Sequence, residues 1–164
     1  MLFKKFYLLL IIPLFLCVNS CSINSINSSK IADLSILGDI IIEIDNSRLS
    51  QIIKINIDNS LNLYKNETSK KLYILSFKLK EQIDSSFLTD SIRRISLYSE
   101  YNLYDISKNE IVLSGSFNQK SSLGPITSLF SREQSERNSL ERLAISISEE
   151  IKIRLIEWAI NQQI

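Results

Sequence analysis

Three consecutive segments between residues 71 and 119 alternate apolar and polar side chains, and this pattern limits the possible folds more than any other feature. Side chains of a β-strand point to opposite faces in turn, so each segment is predicted to be a strand. Each strand would have one apolar face and one mostly polar face, which is typical of an antiparallel sheet covered on one side. The apolar faces comprise Tyr73, Leu75, Phe77 and Leu79; Ile95, Leu97, Tyr101 and Leu103; and Ile111, Leu113, Gly115 and Phe117.

A further strand and a helix precede these segments. Residues 38–47 contain Ile40, Ile42 and Ile44 on one face, and their β-branched side chains favour a strand. Apolar residues then recur at steps of three and four over residues 48–64, which predicts a helix of about 17 residues. Ser47 is its predicted N-cap.

A second, longer helix is predicted after the third alternating segment. Residues 121–130 are expected to form a loop around Gly124 and Pro125, and Ser131 with Gln134 has the spacing of a capping box. The helix carries an apolar stripe of Leu140, Leu143, Ala144, Ile147, Ile151, Leu155 and Trp158. We therefore predict an α+β fold of order βαβββα, a two-layer sandwich in which two helices cover one face of a mainly antiparallel, four-stranded sheet.

The N-terminal sequence is typical of a secreted bacterial protein. Lys4 and Lys5 precede an apolar run of 13 residues, 6–18, which Pro13 interrupts. A transmembrane helix needs about 20 apolar residues, so this run is too short for a stable membrane span. We expect residues 1–20 to be a signal peptide that is removed from the mature protein.

Cys21 is the predicted site of lipid attachment. It follows Val18, Asn19 and Ser20, and a small residue directly before a cysteine resembles the lipobox of bacterial lipoproteins. Cys17 fits this pattern less well because the large Leu16 precedes it. The alternatives are plain secretion with two incidental cysteines, or a metal half-site, which would lack histidine and further cysteine ligands. We expect residues 21–35 to be a lipidated flexible tether and residues 36–164 to form the folded domain.

Composition argues against several classes of function. Without residues 1–20 the chain has 17 basic and 18 acidic residues, so it lacks the basic excess of nucleic-acid-binding proteins. It contains no histidine, only three glycines and no G-x-S-x-G motif. We therefore expect no enzymatic activity, no cofactor, no metal and no nucleic-acid partner.

The polar face of the predicted sheet carries two features that fit binding. Arg93 and Arg94 begin a central strand near Lys78 and Lys80, and guanidinium groups bind phosphate well. The alternative is an ordinary charged strand end whose arginines pair with nearby acidic residues. Separately, Tyr98 and Tyr104 lie on this face, either as part of an interface or because tyrosine favours strands.

The order of these features resembles the lipopolysaccharide-assembly lipoprotein LptE family, especially its alphaproteobacterial branch. Residues 94–117 match the family's hairpin at Tyr101, Leu103, Asp105, Leu113 and Gly115, with Asn109 where the family has a turn glycine. The helix over residues 137–155 is similar as well. The family's F-R-P-L-Y-G-like stretch after the cysteine is missing here.

The resemblance implies a non-enzymatic role at the cell surface. LptE proteins plug the large LptD β-barrel, are held by their lipid at the periplasmic side of the outer membrane, and help to deliver lipopolysaccharide. Ser22, instead of aspartate, after the cysteine agrees with sorting to the outer membrane. The nearest matches to the family's lipopolysaccharide contacts are Arg93 or Arg94 and Arg132 or Arg137. Two alternatives stay open, an auxiliary lipoprotein of a lipid-transporting ABC system and a structural envelope lipoprotein.

Overall fold

The computed structural model describes residues 32–65, 70–85, 92–126 and 128–162. The predicted signal peptide, residues 1–20, and the predicted lipidation site, Cys21, lie outside these ranges. The strands are β1 (Ile40–Glu43), β2 (Tyr73–Ser85), β3 (Arg93–Asp105) and β4 (Glu110–Leu123), and the α-helices are α1 (Arg48–Leu61) and α2 (Leu129–Asn161). Short 3₁₀ helices span Ala32–Asp39 and Asn62–Tyr64. No helix among these residues combines the length and the hydrophobicity of a transmembrane segment.

The four strands form one sheet in the order β1-β2-β3-β4. β1 pairs with the first four residues of β2 in parallel, because α1 carries the chain back to the same end of the sheet. β2, β3 and β4 pair antiparallel along their full length. Both helices pack on one face of this sheet, so the predicted α+β sandwich and its βαβββα order are confirmed.

The core lies between the helices and the apolar face of the sheet. On β3 the predicted residues Ile95, Leu97, Tyr101 and Leu103 are all buried, and on β1 Ile40 and Ile42 are buried. The core residues of α1 are Leu49, Ile53, Ile57 and Leu61. As predicted, Ser47 is the N-cap of α1, because its side chain accepts a hydrogen bond from the amide of Ser50 at 3.2 Å.

α2 begins earlier than the capping-box spacing predicts. Its N-cap is Ser128, whose Oγ faces the amide of Ser131, so Ser131 already lies in the first turn. Residues 121–123 belong to β4, which shortens the predicted loop from both sides. The whole predicted stripe, from Leu140 to Trp158, is buried as expected. The capping-box prediction failed because Ser128, three residues upstream, has the same capping chemistry.

A bulge in β4 corrects the predicted face of Ile111. Leu103 pairs with Leu113 while the next residue, Tyr104, pairs with Ile111, so Val112 is the extra residue of the bulge. The bulge turns Ile111 to the polar side of the sheet, where it is 58% exposed, and Val112 packs against the core instead.

A 3₁₀ helix precedes β1. It spans Ala32–Asp39 and so includes residues 32–35 of the predicted tether. Leu34 packs against the core and Leu37 is fully buried. Gly38 lies so close to the end of the 3₁₀ helix Asn62–Tyr64 that a Cβ atom would come within 2.4 Å of the Tyr64 carbonyl oxygen. Residues 32–39 therefore pack as part of the described fold, and the predicted tether over residues 21–31 lies outside the described residues.

Candidate functional site

The candidate site is the face of the sheet that the helices leave uncovered, which we call the open face. Every second residue of β2, β3 and β4 points to this side. Its side chains are mostly polar and include Lys78, Lys80, Gln82 and Asp84 from β2; Arg94, Ser96, Tyr98, Glu100, Asn102 and Tyr104 from β3; and Ser114, Ser116, Asn118, Lys120 and Ser122 from β4.

Three cationic side chains meet at one end of the open face. Lys80, Arg94 and Lys120 come from three different strands and line a shallow groove of about 320 Å³. The other residues of this groove are Gln82, Asp84, Ser96, Tyr98 and Asn118. The groove therefore combines three positive charges with several neutral hydrogen-bonding groups and a single carboxylate.

The strand register explains why these groups meet. Ser96 lies between Gln82 on β2 and Lys120 on β4, and Arg94 lies directly opposite Asp84. Asp84 accepts a hydrogen bond from the side-chain amide of Gln82 at 3.1 Å. Among the described residues, Lys80, Arg94 and Lys120 make no ion pair. This end of the open face therefore carries a net positive charge that can attract an anionic ligand.

The sequence-predicted arginine pair is separated by the sheet. Arg94 points to the open face, but Arg93, its neighbour in β3, points to the helix side. There the guanidinium of Arg93 lies 2.5 Å from a carboxylate oxygen of Glu136 on α2. Our prediction of one patch formed by both arginines is therefore wrong for Arg93, because consecutive strand residues cannot share a face.

The two arginines of α2 lie away from the open face as well. Arg132 donates a hydrogen bond to the carbonyl oxygen of Ile126 at 3.2 Å, close to the start of the helix. Arg137 lines a second groove, between the helices and β2, together with the acidic residues Glu81, Glu133, Glu136 and Glu141. The structure therefore does not bring the four predicted arginines together; of these, Arg94 alone joins the cationic groove.

Lys120 is the member of the groove that sequence reasoning missed. The third alternating segment is predicted to end at residue 119, whereas β4 continues to Leu123. Had the alternation been extended over Lys120 and Ser122, both would have been placed on the polar face.

The two tyrosines of the open face are held by their own sheet. The hydroxyl of Tyr98 donates to a carboxylate oxygen of Glu100 at 2.8 Å, and the hydroxyl of Tyr104 contacts the side-chain oxygen of Asn109. Both rings are half-buried along the strand. They offer flat apolar surface beside polar groups, and their role in an interface stays a prediction.

Comparisons with known proteins identify the fold. No protein-family model and no curated protein sequence matches the chain. A candidate lipoprotein from Caulobacter crescentus CB15 superimposes with a TM-score of 0.64 at 15% identity, covering 79% of this chain and 96% of that protein. Rare lipoprotein B from Shewanella oneidensis gives a TM-score of 0.61 at 7% identity, with coverages of 76% and 98%. A minor lipoprotein from Acinetobacter baumannii gives 0.52 at 15% identity, with 72% and 90%. This chain thus shares its fold with bacterial lipoproteins.

Proposed function

We propose that this protein is an outer-membrane lipoprotein, anchored through Cys21 at the periplasmic side, that plugs and supports an LptD-type β-barrel in lipopolysaccharide transport. It acts as a binding partner and not as an enzyme. The observation that carries the proposal is the combination of a lipobox-like sequence at residues 18–21 with a domain that matches almost the full length of two solved lipoproteins.

The open face supports a role in binding an anionic lipid. Lipopolysaccharide carries phosphate groups, and Arg94, Lys80 and Lys120, which form no ion pair with another described residue, present positive charge in one groove. The barrel contact would use a larger area, to which the half-buried Tyr98 and Tyr104 can contribute. Mutation of Lys80, Arg94 and Lys120 therefore tests the groove, and mutation of Tyr104, which does not line it, tests the barrel contact.

Lipid attachment is tested first. Intact-mass measurement of the protein purified from membranes should find an acylated chain that begins at Cys21. Cys21→Ser should abolish the acyl mass, whereas the matched variant Cys17→Ser should leave it unchanged. A wild-type chain that begins elsewhere, or carries no acyl mass, would contradict the lipoprotein assignment.

The partner is tested by affinity purification from detergent-solubilised membranes. We expect the wild-type chain to retain a large outer-membrane β-barrel protein. Recovery of an inner-membrane ATPase complex in its place would favour the auxiliary ABC-system lipoprotein and would count against the barrel plug.

A further inference from the structure

The two free edges of the sheet differ sharply in charge. β1 pairs only with Tyr73–Ser76, so residues 77–85 of β2 form one free edge, and they carry the charged residues Lys78, Lys80, Glu81 and Asp84. β4 forms the other edge and, within the described part of the chain, has no neighbour on its outer side. Its residues 113–123 contain one charge, Lys120, and no proline.

Natural proteins commonly place charges, prolines or bulges on exposed edges, because unpaired backbone groups there recruit strands from other chains. In this protein the β2 edge has that protection over its whole free length, whereas the β4 edge has a bulge only at its start, at Val112. The remaining eleven residues of β4 are left able to pair. The difference between the edges indicates that the β4 edge pairs with another strand.

The helix side of β4 indicates which kind of strand would fit. Leu113, Phe117 and Leu123 point to the helix side but are only half-buried, because α2 covers them incompletely. An incoming strand should therefore place polar residues on the open face and apolar residues beside Leu113 and Leu123, at the two ends of the segment. β4 of a second copy meets both conditions, with Ser114, Ser116, Asn118, Lys120 and Ser122 on the open face and with its own Leu113 and Leu123 at the ends, while Gln119 would lie beside Phe117.

We propose that β4 pairs antiparallel with β4 of a second copy of this chain, around a two-fold axis at Asn118. The proposal concerns the protein outside a complex with another partner, and it does not depend on the function proposed above. The pairing would join two four-stranded sheets into one continuous sheet of eight strands with both helical layers on one side.

The length of the regular part of the β4 edge determines why the axis is placed at Asn118. The regular part of β4 begins after the bulge at Val112 and ends before Gly124, so it covers residues 113–123. Asn118 is the midpoint of that segment. A two-fold axis there pairs every residue of the segment, and it places Leu113 opposite Leu123 of the second copy on the helix side.

Charge selects the same register. With Asn118 on the axis, Lys120 of one copy lies opposite Ser116 of the other, and the neighbour of Ser116 on β3 is Glu100. Lys120 would then lie two strands, about 10 Å, from Glu100 of the second copy, with only a small serine between them. Both side chains are long enough to meet over that serine. If the axis is moved by one residue, Lys120 lies opposite Ser114 or Asn118 of the second copy. The neighbours of these two residues on β3 are Asn102 and Tyr98, which carry no charge.

Cysteine cross-linking of the full chain in membranes tests the register. Directly opposed residues of antiparallel strands have Cα atoms about 4.5–5.5 Å apart, which suits a disulfide. Asn118→Cys should therefore form a disulfide-linked dimer under mild oxidation. Ser114→Cys or Ser122→Cys, expressed alone, should form no disulfide-linked dimer. Each of these residues would lie about 26 Å along the strand from the same residue of the second copy. The two variants expressed together should form a mixed dimer.

The wild-type chain, oxidised in parallel, measures any cross-linking through the native cysteines. Absence of a dimer with Asn118→Cys, in a chain whose circular dichroism is unchanged, would overturn the proposal. Equal cross-linking of Asn118→Cys and Ser122→Cys would also overturn it, since that result indicates random collision. The proposal would likewise be overturned if Asn118→Cys formed a cross-link to a different envelope protein and no dimer of this chain.

A charge exchange gives a second test that needs no cysteine. Lys120→Glu and Glu100→Lys should each raise the dissociation constant of the dimer about tenfold, because each change affects two symmetric ion pairs. The double variant should restore dimerisation, which sedimentation in detergent can measure. Failure of the double variant to dimerise better than either single variant would contradict the register at Asn118.

Discussion

Asp105 holds the turn between β3 and β4 in place. One of its carboxylate oxygens accepts hydrogen bonds from the amide of Ser107 at 2.8 Å, the hydroxyl of Ser107 at 2.6 Å and the amide of Lys108 at 3.1 Å. Asn109 closes the turn with φ of 58°, a conformation that asparagine tolerates better than most residues. This explains how Asn109 can replace a turn glycine.

Removing the Asp105 carboxylate should destabilise the hairpin in a pH-dependent way. The hydrogen bonds from Ser107 hold the pKa of Asp105 below its usual value of 3.8. The carboxylate therefore contributes stability above about pH 4, and that contribution is lost as the pH falls through the lowered pKa. Asp105→Ala should lower the melting temperature by several degrees at pH 7, and the difference from wild type should shrink at acidic pH.

Asp105→Asn is the matched control, because it keeps an acceptor oxygen but cannot ionise. It should cost less than alanine at pH 7 and should reduce the loss of stability below about pH 4 by the share that Asp105 contributes, while the share of Asp45, whose pKa is also lowered, remains. Thermal unfolding between pH 3 and pH 7 measures both effects. A constant difference between Asp105→Ala and wild type over this range would refute the role of the charge.

Gly115 is required for a close approach between β4 and a buried ring. A Cβ atom at this position would lie 2.7 Å from the hydroxyl oxygen of Tyr101 and 2.8 Å from its ring, which stacks on Phe117 at 5.6 Å. Gly115→Ala should therefore reduce the free energy of unfolding by about 1–3 kcal/mol. Tyr101→Phe in the same chain should recover part of this loss.

Ser116→Ala is the control for Gly115→Ala, since Ser116 is the next residue and is exposed on the open face. It should change the free energy of unfolding by no more than about 0.5 kcal/mol. Denaturant unfolding measures the free energy of unfolding of Gly115→Ala, of Gly115→Ala with Tyr101→Phe, and of Ser116→Ala. Equal stability of Gly115→Ala and Ser116→Ala would mean that the ring can move away at no cost.

The last third of α2 should be indispensable for folding. Beyond residue 150 it contributes the buried residues Ile151, Leu155, Trp158 and Ala159, and the Trp158 ring meets Tyr73 edge-on at 5.1 Å. Losing several large core residues at about 2–5 kcal/mol each exceeds the usual stability of a domain, about 5–15 kcal/mol. A chain that ends at residue 150 should therefore show no cooperative unfolding.

A chain that ends at Asn161, the last residue of α2, controls for the truncation. It keeps the whole stripe and should melt close to the full-length temperature. Cooperative melting of the shorter chain near that same temperature would show that the helix side of the sheet is closed by something other than the end of α2.

The regular parts of these elements could be predicted from sequence, and the irregular parts could not. Alternation located the buried face of β3 and the helical stripe located that of α2, because burial imposes a fixed period on both. The bulge at Val112 interrupts that period without a signal in the sequence, so Ile111 was placed on the wrong face. The cationic groove depends on how three strands align, and register is set by tertiary packing that a single sequence does not display.

The division of the protein into a helical side and an open side gives Arg93 and Arg94 different expected roles. Arg94 is exposed but lies opposite Asp84, so Arg94→Asp should reduce the free energy of unfolding by no more than about 1 kcal/mol. It should weaken lipopolysaccharide binding roughly tenfold, because a charge-assisted hydrogen bond is worth about 1.5–3 kcal/mol. Arg93→Asp should leave that binding unchanged. It should instead reduce the free energy of unfolding by about 1–3 kcal/mol, because it places two carboxylates together beside Glu136.

These two variants control for each other, since they make the same change at adjacent positions. Binding is measured by titrating lipopolysaccharide into the purified chain, and stability by thermal unfolding. Equal lipopolysaccharide binding by wild type and Arg94→Asp would show that the groove does not bind lipopolysaccharide. Weaker lipopolysaccharide binding by Arg93→Asp, without a change in Arg94→Asp, would indicate that the ligand binds on the helix side.

The position of α2 after all four strands determines the order in which the domain can be completed during synthesis. The ribosome releases β2, β3 and β4 before the 33-residue helix that covers their apolar side. Until α2 follows, only α1 can cover this side of the sheet, so buried residues such as Leu75, Leu97 and Leu103 are incompletely covered. Exposed apolar surface of this kind makes nascent chains prone to aggregation. We therefore expect the emerging chain to need a chaperone until α2 is made. A chain whose translation stops before residue 129 should be degraded by proteases.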